Sequence, residues 1–147
     1  MANNDNGATG SAQMTLQPYV FFYGRCEEAL TFYQSVLGGS FELQRVSESP
    51  MAGQAPPEAQ DRIMHAKFSS DGAEFMASDG QDVKAVNPDE GNISLSLSFT
   101  DVARAKTVFD ALAQGGRVKM PFDDAFWGGK FGMCDDRFGI EWMVTAE

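Results

Sequence analysis

The sequence predicts an α+β fold in which two βαβββ modules pair to form a mixed sheet around a cleft. Three observations carry that expectation. Apolar residues recur at helical spacing twice, as Ala29, Phe32, Tyr33, Val36 and Leu37 and again as Val102, Ala105, Val108, Phe109 and Leu112. Subtracting 76 from the second set lands on Cys26, Ala29, Phe32, Tyr33 and Val36. Each helical pattern stops on a glycine pair, Gly38-Gly39 or Gly115-Gly116, the residue type that ends helices by entering left-handed backbone. A strand, a loop and a hairpin then follow in both halves, the hairpins turning at Gly72 and Gly139. One supersecondary unit used twice explains that order. A lone unit covers one face of its sheet with a single helix and leaves the other bare, so two units must combine.

Residues 1–13, MANNDNGATGSAQ, are small and polar and lack the basic start and apolar centre of a secretory signal. They are expected to form a flexible tail, followed by one domain over residues 14–147 with modules at about 14–78 and 92–145. Aromatic and β-branched residues make Leu16–Tyr23 the first strand. The first helix covers Cys26–Leu37, with Glu27 and Glu28 at its positive end. Phe41–Val46 reads as a strand, Ser47–Asp61 as a Pro-rich loop, and Ile63–Phe68 with Ala73–Ala77 as a hairpin around Asp71-Gly72. In the second module Ile93, Leu95, Leu97 and Phe99 alternate with Ser94, Ser96 and Ser98, the signature of a half-buried strand. After the second helix come a short strand near Val118–Met120, a long loop and a last hairpin turning at Asp136-Arg137-Phe138-Gly139.

Composition removes several classes of function. With 11 basic and 21 acidic residues the net charge is −10. Such a surface repels phosphate backbones, so neither nucleic acid nor an anionic membrane is an expected partner. No apolar run approaches the roughly 20 residues that span a bilayer. One histidine, His65, and two cysteines, Cys26 and Cys134, cannot build a zinc finger, an HExxH helix or a two-histidine iron site within one chain. Two cysteines in a chain with a sizeable core suggest reduced thiols and a cytoplasmic location.

Four segments carry a resemblance: PYVFFYGRCEEALTFYQSVLGG, MHAKFSSDGAEFMASDG, SLSLSFTDVARAKTVFDALAQGG and FWGGKFGMCDDRFGIEW. Together they resemble the vicinal oxygen chelate superfamily of glyoxalases, bleomycin-resistance proteins and extradiol dioxygenases. The last segment, with Trp127-Gly128, Phe131-Gly132, Asp136, Phe138-Gly139 and Trp142, is similar to the PhnB-like branch, whose members also carry a demethylubiquinone methyltransferase label. The resemblance implies a small-molecule-binding protein, commonly a homodimer, with its activity undefined. It also implies a metal held by residues on the first and last strand of each module. The matching positions here are Pro18, Met76, Ser94 and Met143, which supply neither carboxylate nor imidazole. The superfamily metal is therefore not expected. Nor is S-adenosylmethionine, because the glycines follow helices or sit in hairpins and do not form a strand-to-helix cradle. No cofactor is expected.

Candidate site residues follow from hairpin parity and from unusual composition. His65 shares a face with Met76 and can serve as a general base or an orienting donor beside Glu74. Glu74 and Glu141 stand two residues after the hairpin glycines and, as a symmetric pair, can work as acid and base. These three are the catalytic candidates of a lyase or isomerase reading. Phe22, Met76, Phe126, Trp127, Phe131 and Met143 are the ligand-binding candidates. The stretch from Pro121 to Phe131 holds four aromatic residues, which need a ligand, a core or a partner copy to cover them. A third reading is a resistance protein that sequesters a drug or metabolite unchanged. Cys26 and Cys134 read as small buried apolar residues, and Trp142 as core.

Overall fold

Alternating strands and glycine-stopped helices build the same layout twice. The computed structural model of the chain describes residues 13–147, and all but the last residue of the expected tail lie outside them. The first module contains β1 (Tyr19–Phe21), α1 (Cys26–Leu37), β2 (Ser40–Arg45), β3 (Ile63–Ser70) and β4 (Ala73–Ser78). The second contains β5 (Leu95–Phe99), α2 (Val102–Ala113), β6 (Arg117–Asp124), β7 (Lys130–Asp135) and β8 (Glu141–Ala146). Strand order is β1-β4-β3-β2 in one sheet and β5-β8-β7-β6 in the other, which is one topology repeated. Each sheet has one parallel pair, β1 with β4 or β5 with β8, and is otherwise antiparallel. The two expected modules are thus built as two separate four-stranded mixed sheets, where the sequence predicts one mixed sheet.

Of the expected faces, α1 buries Ala29, Tyr33 and Leu37, with Leu30 added, and α2 buries Ala105, Val108, Phe109 and Leu112 but not Val102; the two helix starts are secured differently. Asp101 caps α2 locally, its carboxylate accepting from the Ala103 and Arg104 amides at 2.9 and 3.2 Å. Arg25 offers α1 no side-chain cap. Instead Asp79, from the end of β4, accepts from the Cys26 amide at 2.8 Å and from the Ile63 amide at 2.7 Å. One buried carboxylate therefore ties the start of α1 to the start of β3.

The helices and the inner sheet faces share one core. Tyr33 is 1% exposed and its ring meets Phe68 and Phe75 of the first module and Phe138 and Trp142 of the second, all edge-on at 5.5–6.5 Å. Its hydroxyl donates to Asp136 at 2.5 Å. Asp136 also accepts from Trp142 Nε1 at 2.9 Å and from the Phe138 and Ile140 amides at 2.8 and 3.0 Å. Burial, with the Asp136 charge beside it, raises the Tyr33 phenol well above its usual range, so it remains a donor. This cluster joins the modules across the middle of the chain.

Four expectations need correction. The first strand is Tyr19–Phe21 and not Leu16–Tyr23, and β5 begins at Leu95, which leaves Ile93 outside it and 81% exposed. β6 is an eight-residue strand running through Pro121 to Asp124, not a short strand followed by a long loop. Proline is accommodated because β6 is an edge strand whose register with β7 shifts between Val118 and Met120 and again between Met120 and Asp123. Phe22 is 4% exposed and lies in the core against Tyr33 and Phe138, so it does not line an open face. Its neighbour Phe21, 50% exposed, takes that place.

Candidate functional site

The inner faces are spent on the core, so chemistry is confined to the opposite faces. On the first sheet, parallel pairing sets Tyr19 beside Met76, and antiparallel pairing sets Met76 beside Lys67. On the second, the equivalent pairing sets Ser96 beside Met143. The first-strand position that faces outward beside Met76 is therefore Tyr19, one residue from Pro18. The four superfamily ligand positions become Tyr19, Met76, Ser96 and Met143, a phenol, an alcohol and two thioethers. That donor set does not suit a hard or borderline divalent ion. Among the described residues no three His, Cys, Asp or Glu side chains converge on one point.

A cavity of about 610 Å³ opens at one end of the first sheet. Tyr19 and Phe21 of β1 form one side and Met64 of β3 another. Opposite them stands the segment between β2 and β3, which contributes Met51 and Pro56. That segment is three single 3-10 turns, Val46–Glu48, Ala52–Gln54 and Pro57–Ala59. Gln60 steadies it, donating from Nε2 to the Ala52 and Ala55 carbonyls at 2.9 and 3.0 Å. Arg62 lines the cavity where this wall rejoins β3.

His65 lies beside this cavity on the same open face. Its Nδ1 is 3.2 Å from the Tyr19 hydroxyl, and the two rings sit 5.7 Å apart. Glu74 does not join it: register places Glu74 opposite Ser69, four residues along β3 from His65, about 13 Å at strand rise. Glu74 instead accepts from Gln17 Nε2 at 2.8 Å. Glu141 belongs to the other sheet, where it pairs with Lys119 and accepts from Ser94 Oγ. The Lys119 ammonium, followed by the Ser94 hydroxyl, holds the Glu141 carboxyl below its usual range. Its charge is committed to a neighbour, and no hydrogen bond among the described residues joins His65, Glu74 and Glu141. The symmetric carboxylate pair is a symmetry of position without a shared site.

The ligand-binding candidates divide between the sheets. Met76 lies beside Tyr19 on the first, while Met143 and Phe131 share the open side of the second. Phe126 and Trp127 occupy the tip of the β6–β7 hairpin, 96% and 61% exposed. The tip closes tightly, with the Ala125 amide bonded to the Gly129 carbonyl and the Gly128 amide to the Ala125 carbonyl, at 2.9 and 3.0 Å. Trp127 stacks edge-on between Phe126 at 4.9 Å and Phe131 at 5.5 Å. The three rings form a protruding ridge and do not line the cavity. Cys26 and Cys134 are free and buried, and burial pushes both thiols up to about 12, which removes them as nucleophiles. Sequence reasoning missed Phe21, Met51, Arg62 and Met64. Met51, Pro50, Pro56 and Pro57 were the available signal for the 46–62 part of the wall.

Two βαβββ modules with open outer faces define a protein of the glyoxalase/bleomycin resistance/dioxygenase fold. A superfamily member from Sphaerobacter thermophilus has that fold, with a TM-score of 0.55 at 18% identity over 92% of this chain and 100% of its own. Likeness is greater to three further proteins. A PhnB protein from Bacillus cereus, described as a 3-demethylubiquinone-9 3-methyltransferase, gives a TM-score of 0.71 at 27% identity, covering 91% of this chain and 100% of its own. Protein PA1353 from Pseudomonas aeruginosa gives 0.75 at 37% identity, covering 90% and 98%. Protein YjdN from Escherichia coli is 31% identical over 90% of this chain and 95% of its own length. The family profile described as 3-demethylubiquinone-9 3-methyltransferase matches residues 14–145, and the chain belongs to that family.

The family's description implies a methyl donor, which needs a place in the fold to hold it. A Rossmann-type cradle needs a glycine-rich turn leading from a strand of a parallel sheet into a helix. The β5–α2 link is Thr100-Asp101, without glycine, and the β1–α1 link has Gly24 alone. Neither sheet is parallel beyond one strand pair. These residues do not fit such a cofactor. Among the described residues no helix is long and apolar enough to cross a membrane.

Proposed function

We propose that the protein binds a small, mainly apolar molecule in the cavity beside β1 and β3, as a cytoplasmic homodimer. The cavity is the observation that carries this reading. Its volume of about 610 Å³ falls within the range of small-molecule sites. Its wall leaves Tyr19, Phe21, Met51 and Met64 between 39% and 50% exposed, apolar area that gains about 25 cal/mol per Å² when covered. Replacing Phe21 by alanine is expected to weaken binding of a flat apolar probe such as naphthalenemethanol by about tenfold, the scale of one lost aromatic contact. Titration calorimetry reads this directly, and unchanged affinity in Phe21→Ala moves the site elsewhere.

The dimer reading rests on the open sheet faces and on the Phe126–Trp127–Phe131 ridge, which no part of the same chain covers among the described residues. A twofold axis lets the second-module face of one copy cover the first-module face of the other, twice over. Sedimentation at micromolar concentration is expected to return about twice 16.0 kDa; a monomer ends the dimer reading and leaves the cavity untouched. The Tyr19–His65 contact supports a second reading, turnover by proton transfer at His65, as a lyase or isomerase. Sequestration of an unchanged drug or metabolite needs no such pair. Product formation lost in His65→Gln, with affinity retained, separates the two.

A further inference from the structure

Among the described residues only three buried side-chain polar atoms lack a hydrogen-bond partner. One is Asp135 Oδ1, which has the Lys119 ammonium 3.8 Å away. The other two are Nε and Nη2 of Arg62. These two N–H groups lie along one edge of the guanidinium and point the same way, forming the fork that takes both oxygens of a carboxylate. The remaining nitrogen, Nη1, donates to the Gln81 carbonyl at 2.6 Å, which fixes the plane of the group. No carboxylate among the described residues forms an ion pair with Arg62, in a chain that carries 21 acidic side chains. Arginine stays charged at any working pH, and buried donors without acceptors are destabilising.

From this arrangement we infer that the cavity takes a monocarboxylate with an apolar body, its two oxygens accepting from Nε–H and Nη2–H of Arg62. The inference rests on the reading of the cavity as a binding site and adds the class of ligand. Charge balance selects one negative charge over two. Among the described residues Arg62 is the one charged residue in the cavity lining, so a phosphate dianion brings a charge that nothing there answers, in a protein already at −10. Tyr19, Phe21, Met51 and Met64 take the apolar body. Both nitrogens of the fork are shielded from solvent, so engagement requires the wall beside Arg62 to yield, and that wall is made of single 3-10 turns outside both sheets.

The test uses matched probes on the full chain by titration calorimetry: naphthoate against naphthalenemethanol, decanoate against decanol, and naphthyl phosphate. In at least one pair the acid is expected to bind about tenfold more tightly than the alcohol, the ratio for a charge-assisted pair of hydrogen bonds. Arg62→Gln brings that ratio to about one with the alcohol's affinity unchanged, and Arg62→Lys, which keeps the charge without the fork, falls between. If Arg62→Gln does not fold, the wild-type ratio and Arg62→Lys decide. Equal affinity for acid and alcohol overturns the carboxylate and leaves the cavity as a binding site. Tightest binding of the phosphate overturns the single charge. No binding of any probe overturns the site reading and the inference with it.

Discussion

Replacing Asp136 by asparagine is expected to destabilise the protein by about 3 kcal/mol, and by alanine about 4 kcal/mol, within the range for breaking a buried charged network. The carboxylate accepts four hydrogen bonds, two from fixed backbone amides and one from the indole of Trp142, none of which can reverse direction. Only the Tyr33 hydroxyl can turn to accept. An amide at this position has one oxygen, so either orientation sets its own N–H groups against at least one fixed donor. Alanine leaves all four donors unpaired and opens a void as well. Tyr33→Phe removes one donor and is expected to cost about 1–2 kcal/mol. Urea unfolding checks the series through its midpoint at constant slope, and Asp136→Asn within 1 kcal/mol of wild type would show that the cluster does not join the modules.

Gly39→Ala and Gly116→Ala are expected to cost about 3–5 kcal/mol each, or to prevent folding, by forcing the helix exit away from the sheet. A Cβ at Gly39 would stand 2.2 Å from the Ser69 carbonyl oxygen, at a backbone φ of +85°. At Gly116 it would stand 1.9 Å from the Asp135 carbonyl oxygen. The two positions are equivalent in the repeat, each the second glycine after its helix, and each lets the chain pass against a strand backbone. Gly72 is the control: a Cβ there meets nothing within 4 Å, and Gly72→Ala is expected to shift stability by less than about 0.5 kcal/mol. Thermal unfolding separates the three variants, and a mild Gly39→Ala would contradict the close approach.

The glycine pairs show why so much of the fold was legible. Helix faces and glycine stops are local signals, and the predicted Cys26–Leu37 helix agrees with α1 to the residue. The repeat was readable because both halves keep the same local order, although Val102, matched to the fully buried Cys26, is 38% exposed. Parity failed where the sequence has no alternation. In Tyr19-Val20-Phe21-Phe22-Tyr23 every residue is apolar or aromatic, so only pairing with β4 reveals that Tyr19 and Phe21 face outward and Phe22 inward. Pro121 misled in the usual way, since proline argues against a strand unless the strand is at an edge. The cavity was not legible because its wall, residues 46–62, meets β1 and the 78–81 segment only through tertiary packing. In the sequence Arg62 is one of 11 basic residues, and only its unanswered donors distinguish it.

The two bonds made by Asp79 have a consequence for how such a site can change. By holding the Cys26 and Ile63 amides, Asp79 sets the floor beneath the cavity with the same contact that starts the first helix, so the floor cannot drift without loosening the core. The 3-10 wall is held differently, by Gln60 to its own carbonyls and at its end by Arg45, which donates to the Asp61 carbonyl. Floor and wall therefore answer to different constraints. A relative can trade residues across 46–61 and acquire a new ligand shape while the ground it rests on stays where folding put it.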